Sequence, residues 1–130
     1  MDNRLKAINL ELKKMASGQA ADWLIQNYPT ADAEYGEVFQ LIPHVSWRRA
    51  DQIRLAKYYL QKMPFANSRV YDVFASFMSF ELFVKIIRDQ LPISKNDRDL
   101  LLYHLHPVLE KCAKTDSDRA LMRSFVAELV

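Results

Sequence analysis

His104, His106 and Cys112 fall together in the segment LYHLHPVLEKC, residues 102–112. These residue types ligate zinc and, as a Cys/His pair, carry nucleophilic catalysis. Their spacing decides against both. A helix turns by about 100° and rises by about 1.5 Å per residue, so His104 and His106 point about 200° apart, on opposite faces. Cys112 then lies about 80° round from His104 and about 12 Å along the axis, beyond a shared ion. Helical metal sites place their ligands three or four residues apart, on one face. Pro107 removes the backbone bond to the Tyr103 carbonyl and biases His106 away from helical dihedrals, which predicts a kink. The remaining histidine, His44, has no ligand cluster beside it. The segment reads as a helical wall with a proline kink, and Cys112 as a half-buried small hydrophobe.

Other catalytic signatures are absent from the sequence. Gly18 and Gly36 are the only glycines, so neither a Walker loop nor a dinucleotide fingerprint can be built. Neither GxSxG nor HExxH occurs. The carboxylate pairs Asp97/Asp99 and Asp116/Asp118 sit at predicted helix starts, where negative side chains meet the helix dipole favourably. The expectation is a non-enzymatic chain with no catalytic residue, no metal site and no cofactor.

Binding chemistry is easier to place. In SWRRADQIRLAKYYLQKM, Ile53, Ala56, Leu60 and Met63 recur at helical spacing. With that face inward, Arg54, Lys57, Gln61 and Arg48 share a solvent side, bordered by Tyr58 or Tyr59. Basic groups beside aromatics suit phosphate and bases, and they equally suit a protein interface, where Arg, Tyr and Trp dominate. Just upstream, Asp22, Asp32, Glu34 and Glu37 form an acidic block with Trp23 and Tyr35 as aromatic anchors.

The elements that must carry these residues are helical. Leu5, Ile8, Leu12 and Met15 are spaced 3, 4 and 3 apart, and Leu121, Met122, Phe125, Val126 and Leu129 make a broad stripe. No Asn-Gly or Asp-Gly hairpin signal occurs. ASG at 16–18 ends the first predicted helix, and a second runs to Tyr28 before Pro29. A third covers about 32–42, closed by Pro43. Ser46 caps a helix over about 47–62, and Ser68 caps another through VYDVFASFM. Ser79 starts FELFVKIIRDQL. Ser94 with Asp97, and Thr115 with Asp118, have the spacing of capping boxes. The stretch 70–91 is apolar on more than one face, as befits a central element. The result is one all-α domain over 1–130, with seven or eight short antiparallel helices.

Half of the 130 residues are hydrophobic and 26% are charged, the profile of a globular chain. No apolar run approaches the roughly 18 residues that span a bilayer, and the first fifteen residues lack a signal-peptide core. One cysteine makes no internal disulfide, so a cytoplasmic protein without membrane attachment is expected. Residues 1–18 net +2, 19–45 net −4, 46–62 net +4, and the rest balance. The acidic block abutting a basic one means either that neighbouring helices attract each other or that the surface is bipolar.

Over residues 46–130, the helix lengths, short turns and apolar faces resemble a short, divergent HEAT-type array. That resemblance implies a right-handed α-solenoid of stacked hairpins, and a compact orthogonal helical bundle is the alternative. The overall profile is also similar to bacterial immunity proteins, which are small cytosolic inhibitors that neutralise a cognate toxin by covering its surface. That resemblance implies a protein partner, a toxin domain, with Asp22, Asp32, Glu34 and Glu37 masking a basic surface and Trp23 and Tyr35 as anchors. The competing expectation is a nucleic-acid-binding domain that uses Arg48, Arg49, Arg54 and Lys57 of the basic helix. The modest net charge weighs against it.

Overall fold

A computed structural model describes all residues of the chain, Met1–Val130. It is all-α: eight α-helices and two short 3-10 turns, with no strand. Contacts divide the chain into two compact units, Met1–Tyr59 and Leu60–Val130.

Unit 1 opens with α1 (Asn3–Lys13), whose N-cap Asp2 accepts the Leu5 N–H. That bond satisfies one of the four orphan donors of a helix start. Leu5, Asn9 and Leu12 are its buried face, a narrower stripe than the spacing predicts, since Ile8 and Met15 stay half-exposed. α2 (Ser17–Asn27) buries Ala20, Ala21 and Leu24. The break between these helices falls at Met15–Ala16, so Ser17 and Gly18 begin α2 and do not end α1. The third predicted helix is fragmented. A 3-10 turn at Tyr35–Glu37, the one-turn α3 (Val38–Leu41) and a second 3-10 turn at Ile42–His44 follow one another. Pro43 sits inside the last turn, where its missing N–H costs nothing. α1 packs against α3.

α4 (Arg49–Leu60) starts three residues after Ser46. The local cap loses to tertiary bonds. Trp47 turns into the core and donates from Nε1 to the Ile42 carbonyl at 3.0 Å. Ser17 Oγ accepts the Arg48 N–H at 3.0 Å, supplying from α2 the cap that Ser46 does not. Leu55, Ala56 and Tyr59 are buried, whereas Ile53 is only half-buried. Tyr59 locks α2 to α4: its hydroxyl donates to the carbonyls of Tyr28 (2.9 Å) and Leu24 (3.2 Å).

Unit 2 carries α5 (Arg69–Ala75), α6 (Phe80–Arg88), α7 (Lys95–Cys112) and α8 (Asp116–Leu129). α5 packs on α6 and α7, and α8 on α6 and α7. The Val70–Ile87 region is therefore flanked by several neighbours, as its many apolar faces require. Ser79, Ser94 and Thr115 accept from Leu82, Asp97 and Asp118 N–H respectively, as their spacing predicts. Ser68 makes no such bond, and Asn67 Oδ1 takes the Arg69 N–H instead. In α8 only Phe125 and Leu129 are buried, while Leu121, Met122 and Val126 remain half-exposed. α7 runs without a break through Pro107 to Cys112, so His106 keeps helical geometry, contrary to the bias of a residue before proline. Packing of Leu101, Leu105, Val108 and Leu109 holds the helix together across the lost bond.

Candidate functional site

Asp22, Trp23, Asp32, Glu34, Tyr35, Glu37, Arg48, Arg54, Lys57 and Tyr58, ten candidates for binding, lie in unit 1. Its net charge is +1, eight Lys and Arg against seven Asp and Glu. The structure sorts those ten into groups that are occupied internally and groups that are not.

Arg54 is occupied. Its guanidinium lies 2.9 Å from Asp22 Oδ1 and 3.9 Å from Asp51 Oδ1, and it donates to the Gly18 carbonyl at 3.1 Å. The acidic and basic blocks thus meet in part as an attraction between α2 and α4. Beneath this pair, Ser17 Oγ donates to Asp51 Oδ2 at 2.6 Å while accepting from Arg48 N. Asp51 is only 9% exposed. It stands in the first turn of α4, where the dipole favours an anion.

Glu37 is occupied as well. It pairs with Arg4 and accepts the Tyr28 hydroxyl at 3.3 Å. The Arg4–Glu37 hydrogen bond is the main reason the Arg4 guanidinium holds its proton more tightly than usual. Burial pushes the Tyr28 hydroxyl up, and does the same to Tyr35. Tyr58 is spent on structure: its oxygen accepts the Thr30 N–H at 3.0 Å and its ring meets Tyr59 edge-on at 4.9 Å. Tyr35 is half-buried with its ring edge-on to Phe39 at 6.0 Å. Burial is also the first cause of the raised Tyr59 hydroxyl.

Four groups remain presented to solvent. Asp32 folds one carboxylate oxygen back to the Glu34 N–H but has no ion pair, and Glu34 has none either. Arg48 and Lys57 are exposed with no ion-pair partner. Charges of both signs are left over on one unit.

Trp23 is the exception among the aromatics. It is half-buried, edge-on to Tyr28 at 6.3 Å, and it walls a groove of about 380 Å³ with Ala7, Ile8, Glu11, Leu12 and Met15. Glu11 is the one charged residue of the lining. The sequence spacing puts Leu5, Ile8, Leu12 and Met15 on one helix face. The structure buries Leu5 and Leu12 (2% and 1% exposed) and leaves the other two on the groove. A stripe wider than a single neighbouring helix can cover was the available signal.

In unit 2 the reactive-looking side chains stay apart. His106 Nδ1 faces Glu110 Oε1 at 3.3 Å, one turn along the same helix. His104 packs edge-on against Tyr103 at 5.0 Å, and the free thiol of Cys112 is half-buried. No three His, Cys, Asp or Glu side chains converge in a ligating arrangement. No helix is long and apolar enough to cross a membrane. No protein family matches the chain, and no curated protein or solved structure matches it either.

Proposed function

We propose that the chain is a non-enzymatic protein-binding module and that the α1–α2 groove of unit 1 receives an apolar side chain of a protein partner. The observation that carries this reading is the groove itself: Ile8, Met15 and Trp23 stay half-exposed around an apolar trough with one carboxylate, Glu11, on its wall. Large apolar side chains left open to water in this way mark interaction surfaces. A groove of that chemistry selects an apolar anchor, since its one carboxylate, Glu11, is already paired with Lys14 at 3.1 Å. The preference for a basic partner comes from Asp32 and Glu34, which have no ion pair. The similarity to immunity proteins is in keeping with this, since it makes the partner a toxin domain with a basic surface. In that reading Asp32 and Glu34 do the masking, because Asp22 and Glu37 are already paired inside unit 1.

The nucleic-acid alternative keeps Arg48, Arg49 and Lys57, but it loses Arg54 to Asp22 and Asp51, and Tyr58 to Thr30 and Tyr59. A near-neutral unit with unpaired charges of both signs favours a protein over a polyanion.

The test is retention of a partner from host-cell extract on immobilised wild type, on Met15→Glu and on the unit 2 control Glu81→Lys. A charge in the groove removes a central anchor contact, worth at least about 2 kcal/mol or roughly 30-fold in affinity. A protein retained by wild type and control and lost by Met15→Glu supports the reading. Equal retention by Met15→Glu refutes it.

A further inference from the structure

A second groove of unit 1, separate from the one that Trp23 walls, has a different chemistry. It measures about 280 Å³ and is lined by Met1, Lys6, Asn9, Leu10, Lys13 and His44. Lys6, Asn9, Leu10 and Lys13 recur at i, i+3, i+4 and i+7, so one face of α1 forms its wall. His44 reaches it from the end of the second 3-10 turn. The lining holds no carboxylate, and neither lysine has an ion-pair partner.

Asn9 makes this more than a basic patch. It is 3% exposed and occupies a position of the Leu5–Leu12 core stripe where an aliphatic side chain would fit the pattern. Its Nδ2 reaches only Met1 Sδ, a soft acceptor 3.5 Å away, and its Oδ1 has no partner at all. Buried polar groups are almost always satisfied, and those that are not concentrate where function retains them against stability. With Nδ2 held by Met1, the group left over is an acceptor that wants a donor.

We propose that this groove binds a small oxyanion that carries its own hydrogen-bond donor, hydrogen phosphate being the simplest. Lys6 and Lys13 meet the anionic oxygens, and the P–OH donates to Asn9 Oδ1 while Nδ2 stays on Met1 Sδ. The same arrangement discriminates by protonation. Phosphate keeps a P–OH at neutral pH, whereas sulfate, of the same shape, has none and leaves Asn9 unpaired, the situation in which a polar site rejects an analogue most strongly.

The experiment titrates inorganic phosphate and then sulfate into the full chain at pH 7 and constant ionic strength, following the backbone amide resonances of Lys6, Asn9, Leu10, Lys13 and His44. Phosphate is expected to shift these signals with at least tenfold tighter binding than sulfate. Lys6→Gln and Lys13→Gln, both exposed and neutral to folding, each weaken phosphate at least fivefold, while Lys57→Gln leaves it unchanged. Asn9→Leu, which continues the apolar stripe, brings the phosphate-to-sulfate ratio near one, and Asn9→Ala serves the same purpose if leucine disturbs the packing. Equal binding of the two anions, a ratio that Asn9→Leu leaves intact, or no binding of phosphate at millimolar concentration overturns the proposal.

Discussion

Replacing Asp51 by alanine should cost unit 1 far more than an ordinary charge deletion. Asp51 accepts the Ser17 hydroxyl at 2.6 Å and its side chain is 13% exposed, so solvent screens the bond little. A buried hydrogen bond to a charged group contributes about 1.5–3 kcal/mol. The carboxylate also sits in the first turn of α4, worth about 0.3–1 kcal/mol against the dipole. Together these give a destabilisation of about 2–4 kcal/mol. Ser17→Ala removes the same bond from the other side, together with the acceptor for Arg48 N. The two changes should therefore be non-additive, with a coupling of about 1–2 kcal/mol. Trp23 and Trp47 both lie in unit 1, so urea unfolding followed by tryptophan fluorescence reads that unit directly, while far-UV circular dichroism reads every helix. A loss below about 0.5 kcal/mol, the level of a surface pair, or strict additivity with Ser17→Ala, would refute the idea that this bond ties α2 to α4.

Three further outcomes follow from the same structure. Burial pushes the Tyr71 hydroxyl up to about 12, so between about pH 10, its unfolded value, and pH 12 the folded chain binds more protons than the unfolded one and stability falls as pH rises; urea midpoints should drop over that window, and a drop that Tyr71→Phe leaves undiminished contradicts the cause. Pro107→Ala gives α7 back the bond to the Tyr103 carbonyl at an exposed position, and a thermal scan followed by circular dichroism should show unit 2 stabilised by about 1–3 kcal/mol; no gain would mean that the helix already relaxes around the proline. Gly18→Ala places a methyl 3.8 Å from the nearest Asp51 oxygen, an ordinary contact, so it should stabilise α2 by about 0.5–1 kcal/mol, and a loss in chemical denaturation would show that the Arg54 bond to the Gly18 carbonyl had been disturbed.

Periodicity made the helices legible, and so did those caps that are local. Ser79, Ser94 and Thr115 each bond within three residues, a relation that a sequence displays openly. The start of α4 was not legible because its cap comes from Ser17, 31 residues away, and because burying Trp47 outweighs a serine cap at Ser46. The same distance hid the neutralisation of Asp22 by Arg54 and of Glu37 by Arg4. Charge blocks in a sequence announce attraction without saying whether it is spent inside the molecule or outside it. The groove was half visible. Trp23 stands out in the sequence as an anchor, but nothing there separates Ile8 and Met15 from Leu5 and Leu12, since spacing reports a face and not how much of that face a neighbour covers. Asn9 carried no sequence signal beyond a polar residue at a core position, which only its 3% exposure turns into a question.

The central claim is that unit 1 carries the working surface, on the face of α1 and α2 that holds Ile8, Met15 and Trp23. Amide hydrogen exchange of the chain, free and in complex with its captured partner, tests this most directly. Exchange along α1 and α2 should slow in the complex, with unit 2 unchanged. Protection confined to α7 or to the α6–α8 side of unit 2, with α1 and α2 exchanging as in the free chain, would contradict it.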